Sequence, residues 1–476
     1  MSNIKRLSKN ALWMTVAEVV SKFIAFFSVI LITRYLTEGE FGQYNFVLAF
    51  GLIFGVLANF GFGAFTTREI AKDRRRAKKI IGNLLSLKLI LSGAVLLLLF
   101  LTAQFIDKPS YIIIGLYMVG FLTVSDSIRA LWGSVFQASE RMSYLSLTRL
   151  GERVLYLAVL AFVIYFDKGL LWIIGALLVS SFAFTILEVF LIHYKFTKIS
   201  FKFDKPFIKM ALLGTVFFVI NDIFIVIFFK IDTVMISFMR GDIETAVYSA
   251  AYNLLYAIIF IPTVLSTVLY PALTRFYKKN QKMFRLSLPL VIKYYFLSSL
   301  PVVAFVFIFP TQIITLIYKD KYFDSIPALK VLAFGMTFVF LNFVLSMVLN
   351  TVEKQKFVAL ASFSAMVLNL ILNFLLIPDY GIMGASVATV ATEFLFCSIL
   401  LLFVNRELGV VTKGNLLKLA GVVLAVLVGL GLVFAFSPNP YVSYLIFIAV
   451  LAGLLLLFKI VTKKDWEYFK EALHLK

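Results

Sequence analysis

Long apolar runs, each close to the thickness of a bilayer, alternate with short polar segments along the whole chain. The pattern predicts spans near 11–34, 43–65, 80–103, 111–136, 148–166, 170–192, 207–229, 246–270, 286–309, 328–349, 357–377, 382–404, 416–436 and 441–460. A helix that crosses a bilayer takes about 20 apolar residues. The first and fourth runs carry charges within them. No connecting segment exceeds about 20 residues, so the working groups must sit between helices or in short loops. The first run is long enough to span and has no small-residue cleavage site, so it reads as a membrane helix rather than a signal peptide. The last two runs, after Lys413, hold almost no polar residue and read as peripheral.

Charge in the connections tests this count. Every second connection is basic: Arg68, Lys72, Arg74, Arg75, Arg76, Lys78 and Lys79 follow the second run, and Lys195 to Lys209 follow the sixth. The alternate connections hold few cations, among them Lys108 and Lys168. The alternation keeps one phase from end to end, which predicts an even number of spans and both termini in the cytoplasm of a cell-membrane protein.

An internal repeat is visible as well. Glu40-Phe41-Gly42-Gln43-Tyr44 before span two is echoed by Glu244-Thr245-Ala246-Val247-Tyr248 before span eight. Gln137 to Tyr144 after span four is echoed by Asn350 to Phe357 after span ten, and Asp167-Lys168-Gly169 by Asp379-Tyr380-Gly381. A six-helix unit is thus duplicated. Six is even, so both copies have one orientation, the parallel-repeat arrangement of many transporters. The expected fold is an all-α integral membrane protein of about fourteen transmembrane helices. It has two parallel six-helix lobes, residues 1–205 and 206–410, and two extra C-terminal helices with a cytoplasmic tail in 411–476.

Composition narrows the function. Of 476 residues, 62% are hydrophobic and 15% charged, which leaves too little polar surface for a large soluble catalytic domain. A single Cys and two His exclude a disulfide framework and argue against a structural zinc site. The net charge of +20 would suggest nucleic acid in a soluble protein. In a membrane protein it reads as basic cytoplasmic loops facing anionic lipid, with no nucleic-acid partner.

At the segments already named, the chain resembles the polysaccharide-flippase (Wzx-like) branch of the multidrug/oligosaccharidyl-lipid/polysaccharide exporter superfamily. The resemblance rests on Thr33-Arg34-Tyr35-Leu36 with Glu40 to Tyr44, Phe136 to Met142, Lys230-Ile231-Asp232 with Val247 to Tyr252, Tyr270-Pro271-Ala272-Leu273, and Pro378 to Thr389 with Glu393. Thr37 and Glu38 depart from the pattern, at the turn after span one. The resemblance implies two six-helix lobes around a central cavity. It also implies a polyprenyl-(pyro)phosphate-linked oligosaccharide as cargo, moved from the inner to the outer leaflet, with polysaccharide polymerase and glycosyltransferases as companions. Drug/cation antiporters and peptidoglycan-precursor flippases belong to the same superfamily and are the nearest alternative functions.

A lipid-linked glycan asks for cations at its phosphate and a polar space for its sugars. Lys22, four residues from Glu18 on one helix face, is the first cation to consider. The two could equally just neutralise each other. Asp126 and Arg129 form either a local i, i+3 ion pair or leave Arg129 as a second cation for substrate. Arg149 and Arg153, with Glu152, stand at the cytoplasmic entrance of span five, for substrate or for headgroups. The repeat offset places Glu18 on Asp222, two carboxylates suited to a coupling H⁺ or Na⁺. Arg34, Lys230 and Asp232 lie at the outer ends of spans one and seven, as an outer gate or as helix anchors. Glu188 and Glu393 take corresponding places in spans six and twelve. Asn253, Asn342, Asn369 and Asn373 are read as interhelical glue.

No Gly-x-x-x-x-Gly-Lys-Ser/Thr, His-Glu-x-x-His or Ser/His/Asp pattern is present. No cofactor beyond a coupling ion is expected. The alternative of another class, a membrane polysaccharide polymerase or transferase, would carry a long external loop, and the external loops here are short. The chain is therefore expected to be a transporter and not an enzyme.

Overall fold

The computed structural model of the protein describes residues 3–409 and 439–457, and every regular element among them is helical. In chain order these are α1 (Asn3–Tyr35), α2 (Glu38–Asn59), α3 (Phe62–Lys72), α4 (Ala77–Ala103), α5 (Ser110–Ala138), α6 (Met142–Tyr165), α7 (Leu170–Lys195), α8 (Lys205–Met239), α9 (Asp242–Ile258), α10 (Phe260–Lys279), α11 (Gln281–Ile308), α12 (Pro310–Tyr318), α13 (Ile326–Thr351), α14 (Gln355–Leu408) and α15 (Pro440–Leu457). Eight spans among the described residues are long and apolar enough to cross a membrane by length and composition. Helices α1 and α6 have the length but carry charges. The predicted span 416–436 lies outside the described residues. The protein is an all-α multi-pass membrane protein.

The chain forms two compact units, Met1–Ser249 and Ala250–Lys476. In the first, α1 packs along α6, α2 along α5 and α8, and α5 lies against α4 and α7. One apolar core of this unit gathers Phe62, Phe65, Leu84, Trp132 and Phe136, all nearly or fully buried. In the second, α13 packs against α11 and α14, and α15 rests on α11 through Phe296, Leu300, Phe447 and Leu451.

Turn chemistry explains where the helices end. Thr37, at the turn where the family pattern is broken, is a working N-cap: its hydroxyl accepts from the Glu40 N–H while the Glu40 carboxylate accepts from the Thr37 N–H. Such a capping box stabilises a helix start by about 1 kcal/mol. The Asp167-Lys168-Gly169 and Asp379-Tyr380-Gly381 turns put glycine at φ 79° and 53°. The long α14 changes direction at Gly381, whose φ 53°, ψ −132° suits only a residue without Cβ.

Spans two and eight are each expected as one helix, and each is broken. The first breaks at Phe60 and Gly61, both left-handed, the second at Ile259, where Pro262 removes an N–H from the first turn of α10. A break within apolar surroundings orphans backbone carbonyls, which costs several kcal/mol per group unless a partner is supplied. At the first break the partner is Lys88 of α4, a fully buried cation. Its ammonium donates among Asn59 O (3.2 Å), Asn59 Oδ1 (3.1 Å), Ser127 O (2.8 Å) and Ser127 Oγ (2.9 Å). The Ser127 hydroxyl in turn donates to Ala58 O at 2.8 Å. The C-terminal end of α2 carries the negative end of the helix dipole, which favours an ammonium there. Lys88 is therefore a helix cap delivered from a neighbouring helix.

The α7–α8 connection is laid against the start of α4. Asp204 N–H donates to Asn83 Oδ1 at 2.6 Å, and the Asp204 carboxylate takes the Lys79 ammonium. That hydrogen bond, seconded by the Phe207 N–H, holds the Asp204 carboxyl below the usual carboxylate range.

Candidate functional site

One group of charged side chains that face one another inside the first unit comes from α5, α6 and α7. Arg129 of α5 is nearly buried, and its Nη1 lies 2.6 Å from Glu152 Oε2 on α6. Its Nε lies 3.7 Å from Glu188 Oε2 on α7. Glu188 is 2% exposed, and neither Arg129 Nε nor Glu188 Oε2 has a hydrogen-bond partner. One turn earlier on α5, Asp126 is exposed and accepts from the Ser181 hydroxyl at 2.9 Å. Ser125, Ser181 and Thr185 form a buried hydroxyl chain beside it, at 2.8 and 2.7 Å.

Each charge is held by a helix, so its direction is set by helix phase. Asp126 and Arg129 are three apart and share a face, yet each finds its partner on another helix. Of the two readings of Asp126 and Arg129, the local i, i+3 pair is not formed: Arg129 pairs with Glu152 and Glu188. The reason is reach: a guanidinium on a long stem turns away from its own helix and takes two carboxylates from facing helices in place of one on its own. Glu152, grouped from sequence with the headgroup-facing arginines, is instead the principal counter-charge of Arg129. Its side chain is 13% exposed.

The other candidates fall as follows. Arg149 is exposed and Arg153 half-buried, both on α6 beside this cluster. Lys22 is exposed on α1, the helix that packs along α6. The Glu18 side chain lies outside the described residues. Asp222 is exposed on α8. Asp232 is buried and accepts from the Tyr248 hydroxyl at 2.8 Å, while Arg34 is exposed at the end of α1.

The second unit carries a related pair. Asn342 of α13 donates from Nδ2 to Glu393 Oε2 of α14 at 2.6 Å, both buried. Arg129 stands eight residues before Gln137 and Asn342 eight before Asn350, so they are equivalent in the repeat. The first copy thus offers a guanidinium where the second offers a neutral amide. Only the guanidinium can neutralise an anion.

Sequence reasoning missed Lys88 altogether. A lone cation in the apolar run 80–103 was the available signal, because an ionisable residue within a span is a site until a partner is named.

The comparisons with known proteins bear on the family and the fold. The family model described as "Polysaccharide biosynthesis protein" matches residues 7–277, and the MatE model matches residues 218–375. An uncharacterised membrane protein of Methanocaldococcus jannaschii is 23% identical over 441 residues, covering 86% of each chain. A putative O-antigen transporter of Shigella flexneri is 22% identical over 395 residues, covering 80% of this chain and 93% of that one. Among solved structures, the lipid II flippase MurJ in an inward closed conformation superposes with a TM-score of 0.75 at 16% identity, covering 96% of this chain and 99% of that one. At that identity the likeness is one of fold.

Proposed function

Because this chain belongs to the polysaccharide biosynthesis protein family, polysaccharide flippases of the multidrug/oligosaccharidyl-lipid/polysaccharide exporter superfamily, we propose that it moves a polyprenyl-(pyro)phosphate-linked oligosaccharide from the inner to the outer leaflet. The observation that carries this reading is Arg129: a nearly buried guanidinium with one unpartnered N–H, backed by Arg149 and Arg153 on the facing helix. A guanidinium presents a fork that fits two phosphate oxygens. Lys22, on the helix beside α6, is assigned to the same phosphate.

Charge balance ties the cargo to an ion. Asp126, Glu152 and Glu188 offset Arg129, Arg149 and Arg153 one for one. A phosphate that takes Arg129 leaves Glu152 or Glu188 without its counter-charge in a low-dielectric site, where a bare carboxylate is untenable. That carboxylate then takes a proton or a monovalent cation. Glu18 and Asp222 are assigned to the same coupling role, and Arg34, Lys230 and Asp232 to an outer gate. Alternating access by the two six-helix repeats, 1–205 and 206–410, would carry the site from one leaflet to the other. Glycosyltransferases and a polymerase would supply and consume the cargo.

The reading is tested in proteoliposomes holding a polyprenyl-diphosphate oligosaccharide and the purified protein. Glycan in the outer leaflet is scored by its accessibility to an added glycosidase. The expected result is protein-dependent gain of accessible glycan. The three carboxylates of the cluster and the MatE match favour one second reading, an organic-cation antiporter. Efflux of a cationic dye with no glycan movement would replace the first reading by the second.

Orientation has its own check. In a Cys397→Ser background, Lys168→Cys should react with a membrane-impermeant maleimide in intact cells and Arg75→Cys should not. Both positions are exposed. Labelling of Arg75→Cys from outside would invert the assignment.

A further inference from the structure

The contact between the first turns of α2 and the α8–α9 corner serves no part of the site described above, and it brings two backbones too close for a side chain at Gly42. A Cβ placed on Gly42 would stand 1.8 Å from Asp242 O and 3.2 Å from Ala246 N. The repeat makes Gly42 and Ala246 equivalent, so two copies of one turn meet face to face. Lys108, from the α4–α5 connection, reaches across and closes the contact. Its ammonium lies 2.6 Å from Asp242 Oδ1 and donates also to Ser237 Oγ at 3.1 Å and Ser237 O at 3.3 Å. Gln43 Nε2 donates to Asp242 Oδ2 at 3.0 Å, and the Tyr111 hydroxyl donates to Gln43 Oε1 at 3.1 Å.

Two helix dipoles strengthen this ion pair. Ser237 O belongs to the last turn of α8, the negative end that an ammonium prefers, and Asp242 is the first residue of α9, the positive end that a carboxylate prefers. Below the ion pair, Phe46 meets Phe238 edge-on at 5.3 Å, and Lys108 lies over the Phe46 ring.

We infer that Lys108, Asp242 and Gly42 form a latch that closes the outer end of the protein and must part in every transport cycle. It rests on the flippase reading for the word transport and on the loop charges for the word outer. Apolar packing cannot separate without exposing hydrocarbon to water, and the polar Lys88 cap is fully buried. Here the uppermost contacts are an ammonium, a carboxylate, an amide and two backbone turns, and water can hydrate each of them once they part. The Lys108 and Asp242 side chains are already 11% and 20% exposed. Such a contact is strong when dry and yields when wet, as a gate requires.

The test needs no glycan. In Cys397→Ser protein with a reporter Asp126→Cys, the rate of maleimide labelling from outside is measured in intact cells. Asp242→Asn keeps the side-chain shape and removes the charge, Lys108→Ala removes the ammonium, and Gly42→Ala wedges the turns apart. Each should speed labelling at least tenfold. The exchange Lys108→Asp with Asp242→Lys restores the ion pair but sets it against both helix dipoles, so it should recover only part of the change in rate. Size-exclusion profiles confirm that each variant is folded. Parent-rate labelling in folded Asp242→Asn and Lys108→Ala overturns the latch, whatever the protein exports. Faster labelling confined to inverted vesicles overturns its placement at the outer end. Faster labelling from outside, when the protein with Asp126 intact moves no glycan, leaves the latch standing and removes the cargo assignment instead.

Discussion

Replacing Arg129 by Ala should reduce glycan export by a hundredfold or more. The guanidinium is asked to make two charge-assisted hydrogen bonds to phosphate, each worth about 1.5–3 kcal/mol. Their sum corresponds to roughly a hundredfold to ten-thousandfold change in an equilibrium. The plain variant has a second fault. It strands Glu152 and Glu188 as uncompensated carboxylates, and breaking a buried pair costs about 3–5 kcal/mol. The variant that can overturn the assignment is therefore Arg129→Gln combined with Glu152→Gln and Glu188→Gln, which removes the charges together. It should elute as a monodisperse, folded protein and still fail to export. Arg129→Lys keeps the charge and loses the fork, and should retain a small fraction of activity. The measurements are surface glycan in a strain lacking its own flippase, and protein level by blot. Export near the parental level by the folded triple variant would remove Arg129 from the mechanism and pass the phosphate to Lys22.

Lys88→Met should cost the protein its fold rather than its cargo. Met has a similar length and apolar stem but no N–H. Asn59 O, Asn59 Oδ1 and Ser127 O would then be buried beside a thioether. At about 1–3 kcal/mol for each orphaned group, the loss is a large share of the roughly 5–15 kcal/mol that holds a typical protein folded. Lys88→Arg keeps the charge but brings a larger head into a fully buried slot, and overpacking costs about 1–3 kcal/mol. Lys88→Met should thus give aggregated protein, or a thermal transition in detergent many degrees below the parent, with Lys88→Arg in between. A parental transition for Lys88→Met would show that water or a rearranged α2–α3 break satisfies those carbonyls instead.

The two predictions differ in how visible their residues were. Arg129 could be found in the sequence because a charge inside a span is costly wherever it points. Lys88 met the same criterion and was overlooked, since a single Lys in an apolar run suggests no partner. Glu152 was visible but wrongly grouped. Its neighbours along the chain are arginines, whereas its partner in space is on α5. Gly42 was visible only as part of a repeat. Nothing in the order of residues says that its missing Cβ leaves room for the backbone of Asp242.

What the sequence determined by itself was the set of properties that a bilayer imposes one segment at a time. Apolar runs must be helices, because no water is there to satisfy the backbone, so the all-α membrane fold followed from hydropathy alone. The equivalent turns at Gly169 and Gly381, and the capping box at Thr37, are local as well, set by a few neighbouring residues. The tertiary structure decided how far each helix is rotated about its axis and which helix it faces. That rotation pairs Arg129 with Glu152 and Glu188 instead of Asp126, breaks span two around a lysine from α4, and brings Gly42 against Asp242. Each of these is a contact between residues far apart in the chain, chosen by the packing of whole helices, and no local pattern encodes the outcome of that packing.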